Sequence, residues 1–171
     1  MSRHYITKNL YDGVDLAYQS ILIHMVVNQL IRQGNKNLSY RILYTALNRI
    51  REKTKRNPMI VFEYAIRMVI PNVQLKVRRV GGTNYQVPTE VRPRRGTTVA
   101  IQWILKATRS RPRHNIATRL SEEIMDSVRR SGGAVRKREE VHRIADANKA
   151  FARYRFSLKS ANIRYSLGIP V

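Results

Sequence analysis

The stretch Val73-Gln-Leu-Lys-Val-Arg-Arg-Val-Gly-Gly-Thr-Asn-Tyr-Gln-Val-Pro-Thr-Glu-Val91 decides the fold, because here the period of the chain changes. Val73, Leu75 and Val77 alternate with Gln74, Lys76 and Arg78, and alternation resumes after Gly81-Gly82 as Tyr85, Val87, Thr89 and Val91. A period of two on both sides of a glycine pair predicts a β-hairpin with a glycine tip and a basic strand face. Pro88 has no N–H for a ladder, so its strand belongs at an edge, as in a lone hairpin. As a plain structural edge, the arm needs only Val73, Leu75, Val77, Val87 and Val91.

Outward from the hairpin the spacing is helical on both sides. Towards the N-terminus, Phe62, Ala65, Ile66 and Val69 recur at three and four, between the cap Asn57-Pro58 and Pro71. Before them lies a second apolar stripe, Leu38, Ile42, Leu43, Ala46, Leu47 and Ile50, starting near Asn37. A first stripe runs from Ala17 through Ile21, Leu22, Met25, Val26 and Leu30 to a stop at Gly34. Towards the C-terminus, Val99, Ala100, Trp103, Ile104 and Ala107 predict a fourth helix, with Trp103 on its buried face. Ile116, Leu120, Ile124 and Val128 predict a fifth, ended by Gly132-Gly133, and a sixth spans about Val135 to Tyr154. The expected architecture is mainly α: a bundle of about six helices, with one protruding β-hairpin arm between the third and fourth. Residues 1–14 read as an N-terminal arm, 15–156 as the domain with its hairpin at about 73–91, and 157–171 as a tail.

Charge narrows the function. The 171 residues hold 33 Lys plus Arg against 11 Asp plus Glu, a net charge of +22. Such a chain repels itself when compact, and a polyanion relieves the repulsion. Because the cations are spread through folded segments, nucleic acid is the expected partner and a membrane surface is not. The absence of cysteine excludes disulfides, thiolate catalysis and Cys-based zinc modules. No apolar run approaches the roughly 18 residues of a membrane span; the longest, Ile21 to Val27, is interrupted by His24. Met1-Ser-Arg-His-Tyr5 resembles neither a signal nor a transit peptide, so the chain is expected to stay where it is made unless a presequence has been removed.

Three basic clusters carry the binding argument. The first joins Lys76, Arg78 and Arg79 to Arg92, Arg94 and Arg95; Glu90 is the sole acid from Val73 to Arg95. Charge on an edge strand also blocks aggregation, but acids would serve that purpose equally well. The second is Lys106, Arg109, Arg111, Arg113 and Arg119, in a stretch with no acid between Glu90 and Glu122 and so without sequence-local partners. The third is Arg136, Lys137 and Arg138, followed by Arg143, Lys149, Arg153 and Arg155 and diluted by Glu139 and Glu140. Each cation on a phosphate releases counterions, so binding is strong and salt-sensitive. Arginine, the more frequent cation here, adds bidentate phosphate contacts and stacking on bases. Tyr85 and Tyr154 can stack on bases or simply pack.

Nothing in the chain assembles catalysis. Gly81-Gly82 lacks a nucleotide-binding loop pattern and joins two strands, so its use is positive φ and close approach to an RNA backbone. His4, His24, His114 and His142 have no ligand spacing, and His24 reads as a packed or boundary histidine. Glu122-Glu123 and Glu139-Glu140 are adjacent pairs whose side chains diverge on a helix. The expectation is no enzyme, no metal and no cofactor.

At this point longer strings matter. Lys76-Val-Arg-Arg-Val-Gly-Gly-Thr-Asn-Tyr-Gln-Val-Pro88 resembles the hairpin signature of the seventh small-subunit ribosomal protein family, bacterial or organellar type. Ala100-Ile-Gln-Trp-Ile104 resembles the start of its fourth helix, and Ala134 to Ala152 with Arg153-Tyr-Arg-Phe156 resembles its C-terminal helix. The similarity extends from about Asp15 to Phe156. It implies a six-helix core with a β-arm, binding to the 3′ major (head) domain of small-subunit rRNA, and a role in head assembly. The implied partners are that rRNA, exit-site tRNA and mRNA, and neighbouring head and platform proteins. The expected rRNA-binding residues are Lys36, Lys76, Arg92, Arg94, Arg95, Lys106, Arg109, Arg111, Arg113, Arg119, Arg136, Lys137 and Arg138. The exit-site face implied by position is Arg78, Arg79, Gly81, Gly82, Thr83, Asn84 and Tyr85, with Arg143 and Lys149. Two features depart from the family. The N-terminal arm holds only Arg3 and Lys8 in its first dozen residues, and the tail from Ser157 matches nothing placed. With Arg111-Pro112, that tail points to a chloroplast (plastid) ribosome, the alternatives being mitochondrial or bacterial.

Three other classes compete with this reading. A DNA-binding regulator lacks its helix-turn-helix signature here. A nucleic-acid enzyme lacks an acidic metal cluster or nucleophile site. A membrane-surface protein would concentrate its charge on one amphipathic helix.

Overall fold

The computed structural model describes Asp15, residues 18–112 and residues 115–155. The N-terminal arm, the tail 157–171, Arg113 and His114 lie outside the described residues. In chain order the elements are α1 (Ile21–Leu30), α2 (Lys36–Thr54), α3 (Pro58–Val69), β1 (Val73–Val80), β2 (Thr83–Glu90), α4 (Pro93–Ser110), α5 (Ile116–Val128), α6 (Gly133–Ala147) and a terminal 3-10 helix (Lys149–Arg155). Mainly helical, with an antiparallel hairpin between α3 and α4, this is the architecture expected from the periodicities.

Three asparagines set the starts of helices. Asn35, Asn57 and Asn115 each accept a backbone N–H of the first turn, from Leu38, Met59 and Ala117 respectively. Such a cap contributes about 1 kcal/mol and fixes where the helix begins. Inside the bundle, α5 packs against α2, α3, α4 and α6, while α1 closes over α2 and α4. Ile23, Val27, Leu43, Leu47, Ile50, Phe62, Val69, Ile101, Leu120 and Ile124 form the solvent-free centre. The Arg49 guanidinium also ties α2 to the Thr118 hydroxyl on α5.

Several boundaries differ from the pattern reading. α1 starts at Ile21, because Gln19 takes a φ of 47° and Ser20 is extended; Ala17 lies outside the described residues. Its buried face is Ile23, Val26, Val27 and Leu30, which leaves Ile21 exposed, and it ends before Gly34. Leu38 of the expected α2 stripe is 50% exposed. α4 starts six residues before Val99: Pro93 takes its first position, and a basic first turn carries no apolar signal. The core face of α4 is Ala100, Ile101, Ile104, Leu105 and Thr108, so Trp103 falls at its border and is half-buried rather than buried. The sixth helix stops at Ala147, and residues 149–155 rewind as 3-10.

The hairpin register divides the arm's apolar residues between two faces. Gly81 and Gly82, with φ of 57° and 85°, make a two-residue turn that pairs Val80 with Thr83. Lys76 then lies opposite Val87, Arg78 opposite Tyr85, and Leu75 opposite Pro88. Directly opposed residues share a face, so Val73, Leu75 and Val77 lie on one side and Tyr85, Val87 and Thr89 on the other. Of the five apolar positions, Val73, Leu75 and Val77 thus share one face and Val87 the other, with Val91 just past the end of β2. The Val87 side is the packed one: β1 rests on α6 and β2 on the 3-10 helix, with Val87 fully buried while Val77 is 66% exposed.

Candidate nucleic-acid interface

The hairpin offers cations on both sides. Lys76 and Arg78 project from the packed side beyond its contacts, and Arg79 and Asn84 from the other; all four are exposed. Neither the Arg78 nor the Arg79 side chain has an ion-pair or hydrogen-bonding partner among the described residues. At the tip, a Cβ added to Gly81 or Gly82 would meet open space, so the glycines serve the positive φ and not packing. Thr83 is exposed beside them. Tyr85, expected on the exit-site face, instead packs within the protein. Its ring lies 5.1 Å from Phe151 and 5.3 Å from Tyr154, and the Arg153 guanidinium sits 5.0 Å over Tyr154. This aromatic cluster holds the arm to the terminal 3-10 helix.

α4 carries a second row. Arg92 is its N-cap residue, and Arg94 and Arg95 lie in a first turn that contains no acid. Arg95, Gln102, Lys106 and Arg109 are exposed at spacings of seven, four and three, one face of a helix. From Arg95 to Arg109 the row spans about 21 Å at 1.5 Å per residue. Cations at a helix N-terminus face the positive end of the dipole, which costs a few tenths of a kcal/mol each and favours an arriving anion.

The corner between α4 and α5 is built differently. Arg111 donates from Nε and Nη2 to Glu123 Oε2, at 2.8 and 2.5 Å, and from Nη2 to Asp126 Oδ2 at 2.5 Å; Glu122 lies 3.9 Å away. Burial works against its charge, but hydrogen bonds to Asp126 and Glu123 and the charges of those carboxylates outweigh burial and raise its pKa. Arg119 Nη1 donates to the carbonyls of Arg109 and Arg111, at 3.3 and 3.0 Å. Without sequence-local acids, Arg111 finds its partners on the next helix, and Arg119 is held by backbone carbonyls. Helix α5 returns its acids to the corner that the chain left eleven residues earlier. Arg113 lies outside the described residues.

Glu123 is the residue that sequence reasoning missed. It is 1% exposed, and its Oε1 accepts the Ala134 N–H at 2.9 Å, capping α6 from a neighbouring helix. A Cβ on Gly132 would come within 2.8 Å of that oxygen, so Gly132 permits the approach. Both Glu122 and Glu123 turn towards Arg111, although adjacency on a helix suggests that they diverge, and burial of a lone glutamate carries no sequence signal.

On α6, Arg136 is exposed, Lys137 pairs with Glu140 at 2.8 Å, and the Arg138 guanidinium donates to the Met68 carbonyl at the end of α3. The Lys137 hydrogen bond holds the Glu140 carboxyl below its usual range. His142 Nε2 accepts the Asn72 N–H at 3.3 Å, fixing the root of the hairpin to α6. Arg143 and Lys149 are exposed, and Lys36 lies 5.8 Å over the Tyr40 ring. Arg32, exposed in the turn after α1, was hidden from pattern reading by the helix drawn through to Gly34.

Fold and surface together define a strongly basic helical bundle with a projecting hairpin. Among the described residues no cluster of His, Cys, Asp and Glu could hold a metal ion, and no helix is long and apolar enough to cross a membrane. Residues 2–149 match the family described as "Ribosomal protein S7p/S5e". A "Small ribosomal subunit protein uS7" of Trichormus variabilis is 48% identical over 156 residues, covering 91% of this chain and all of that one. A protein of the same description from a Nostoc species has the same identity and coverage. A "Small ribosomal subunit protein uS7c" of Chlorella vulgaris is 47% identical over 156 residues, again covering 91% of this chain and all of the relative. The chain belongs to the ribosomal protein S7p/S5e family.

Proposed function

We propose that the chain is a structural constituent of the small ribosomal subunit, not an enzyme. In this reading it binds the 3′ major domain of small-subunit rRNA and helps organise the head. The observation that carries it is the exposed basic row of α4, continuous with the hairpin root and free of acids in its first turn. Arg92, Arg94, Arg95, Lys106 and Arg109 meet rRNA phosphates; Lys36, Lys76 and Arg136 extend that surface. Arg111, Arg119 and Arg138 act mainly by holding the fold, and Lys137 is partly neutralised by Glu140. The hairpin tip, with Arg78, Arg79, Gly81, Gly82, Thr83 and Asn84, reaches exit-site tRNA and mRNA, together with Arg143 and Lys149. Neighbouring head and platform proteins complete its surroundings. The domain lies between an N-terminal arm and a tail. The plastid ribosome is the proposed location, supported by likeness to a uS7c protein and to cyanobacterial relatives.

The test is binding of the full chain to a head-domain rRNA fragment across salt. With about 6 to 10 phosphate contacts, affinity falls roughly 10³ to 10⁵ between 50 and 200 mM salt. A flat response would remove the phosphate argument. Co-sedimentation of the endogenous protein with small subunits from fractionated plastids tests assembly and location.

A further inference from the structure

The tail 157–171 is the part of the chain that family likeness does not explain. The family match takes in residues 2–149, and the uS7 relatives are covered in full by alignments over 91% of this chain. The tail's sequence nevertheless has a pattern. Ile163, Tyr165, Leu167, Ile169 and Val171 alternate with Arg164, Ser166, Gly168 and Pro170. That is the period of a strand with one apolar face. The hairpin offers such a strand a place. It is a sheet of two strands, a size that is marginal by itself. Val73, Leu75 and Val77 lie on its less covered face, and Val77 is 66% exposed.

The register decides which edge is open. Val80 and Thr83 close the two-residue turn and bond to each other, as does every second pair back from them. The residues between, Val73, Leu75, Val77 and Arg79, therefore direct their N–H and C=O groups away from β2. On β2 the outward set includes Pro88, which has no N–H to offer. The outer half of β1, from Lys76 to Arg79, is exposed. The tail also starts beside the arm. The Tyr154 ring lies 5.3 Å from Tyr85, which stands opposite Arg78. An extended linker over 156–162 reaches about 23 Å, several times the strand spacing of about 5 Å.

We propose that Ile163 to Ile169 adds to the free edge of β1 as a third strand of its own chain's arm. The strand satisfies the outward N–H and C=O groups of Leu75, Val77 and Arg79, and its apolar side chains cover Val77. Its other side, Arg164, Ser166 and Gly168, falls beside Lys76 and Arg78 and brings no acid, so the cations of the arm keep their charge. The tail suits a sheet better than a phosphate surface: its cations are Lys159 and Arg164 alone, against five apolar residues at alternate positions. A second copy of the chain could offer the same strand, but a short tether holds the chain's own tail at an effective concentration on the order of millimolar.

The test is amide hydrogen exchange by NMR on three proteins: the full chain, the chain truncated after Phe156, and the full chain carrying Tyr165→Asp with Leu167→Asp. Circular dichroism checks that the helices are equal in all three. The amides of Val77 and Arg79, which have no acceptor on β2, are expected to be protected in the full chain and to exchange about tenfold faster in both variants. The amides of Lys76 and Arg78, bonded to β2, should change less. Cross-peaks from the Val77 methyls to Tyr165 or Leu167 are expected in the full chain. Equal exchange at Val77 and Arg79 in the full and truncated chains would overturn the pairing. In a mixture of labelled and unlabelled chains, cross-peaks between chains rather than within one would give the edge to a second copy and overturn the tether. Protection seen only with the head-domain RNA fragment bound would make the tail an RNA segment and overturn the third strand.

Discussion

The α4–α5 corner and the hairpin carry the same sequence signal, arginines without nearby acids, and the fold uses them in opposite ways. At the corner, Arg111 is one-quarter exposed and gripped by Glu123 and Asp126. On the hairpin, Arg78 and Arg79 stand in solvent with no side-chain partner among the described residues. A cation that the fold has already neutralised has little left for a phosphate, whereas an unpaired one retains its full charge. Basic composition therefore predicts that a polyanion is bound, but not which arginines bind it.

The contrast can be broken most directly at Glu123. Glu123→Ala strands the Arg111 guanidinium and the Ala134 N–H together, and is expected to lower unfolding free energy by about 3 kcal/mol. Glu123→Gln, which keeps one acceptor, should lose roughly half of that. Urea unfolding followed by circular dichroism reads both; a near-native Ala variant would mean that the corner is not built on this carboxylate.

Arg111→Ala sharpens the same point from the other side. Its expected cost is about 2 kcal/mol, coupled to Glu123→Ala by more than about 0.5 kcal/mol in a double-mutant cycle. Its salt slope for rRNA binding should change by less than about one, because the charge is already spent internally. A full unit of slope lost would place Arg111 on phosphate.

The hairpin anchor comes next. Tyr85→Ala removes two ring contacts from a half-buried position and should cost about 1 kcal/mol. Amide exchange in β2 and residues 149–155 should rise together, since the ring joins them; independent exchange would show that the arm is held elsewhere.

The smallest effect on the fold is expected from Arg78→Ala with Arg79→Ala, within about 0.5 kcal/mol. In small subunits assembled with this variant, incorporation should be near normal and exit-site tRNA occupancy reduced. Loss of incorporation with normal occupancy would make the arm an assembly contact, and no change in either would leave it a solvated edge.

Much of the fold was legible because it depends on local rules. Phe62, Ala65, Ile66 and Val69 at helical spacing behind Asn57-Pro58 are all buried as the pattern requires. The two-residue glycine turn and its flanking alternation located the hairpin to within a residue of β1 and β2. The errors came where neighbours decide. Trp103 sits on the edge of its stripe because α4 turns Ile101 and Leu105 towards the core. The register set at Val80 and Thr83, which alternation does not give, places the apolar residues of β1 and β2 on opposite faces.

By itself, the sequence determined a helical bundle with a glycine-tipped basic arm, since spacing, caps and charge act over a few residues at a time. Which cations remain free was decided only by the tertiary structure. Pairing Arg111 with acids eleven to fifteen residues away, capping α6 with Glu123, and drawing Tyr85 onto Phe151 all require helices that meet in space. Electrostatic and aromatic contacts fall off within a few ångströms, so distance in the fold sets them, and no local pattern encodes it.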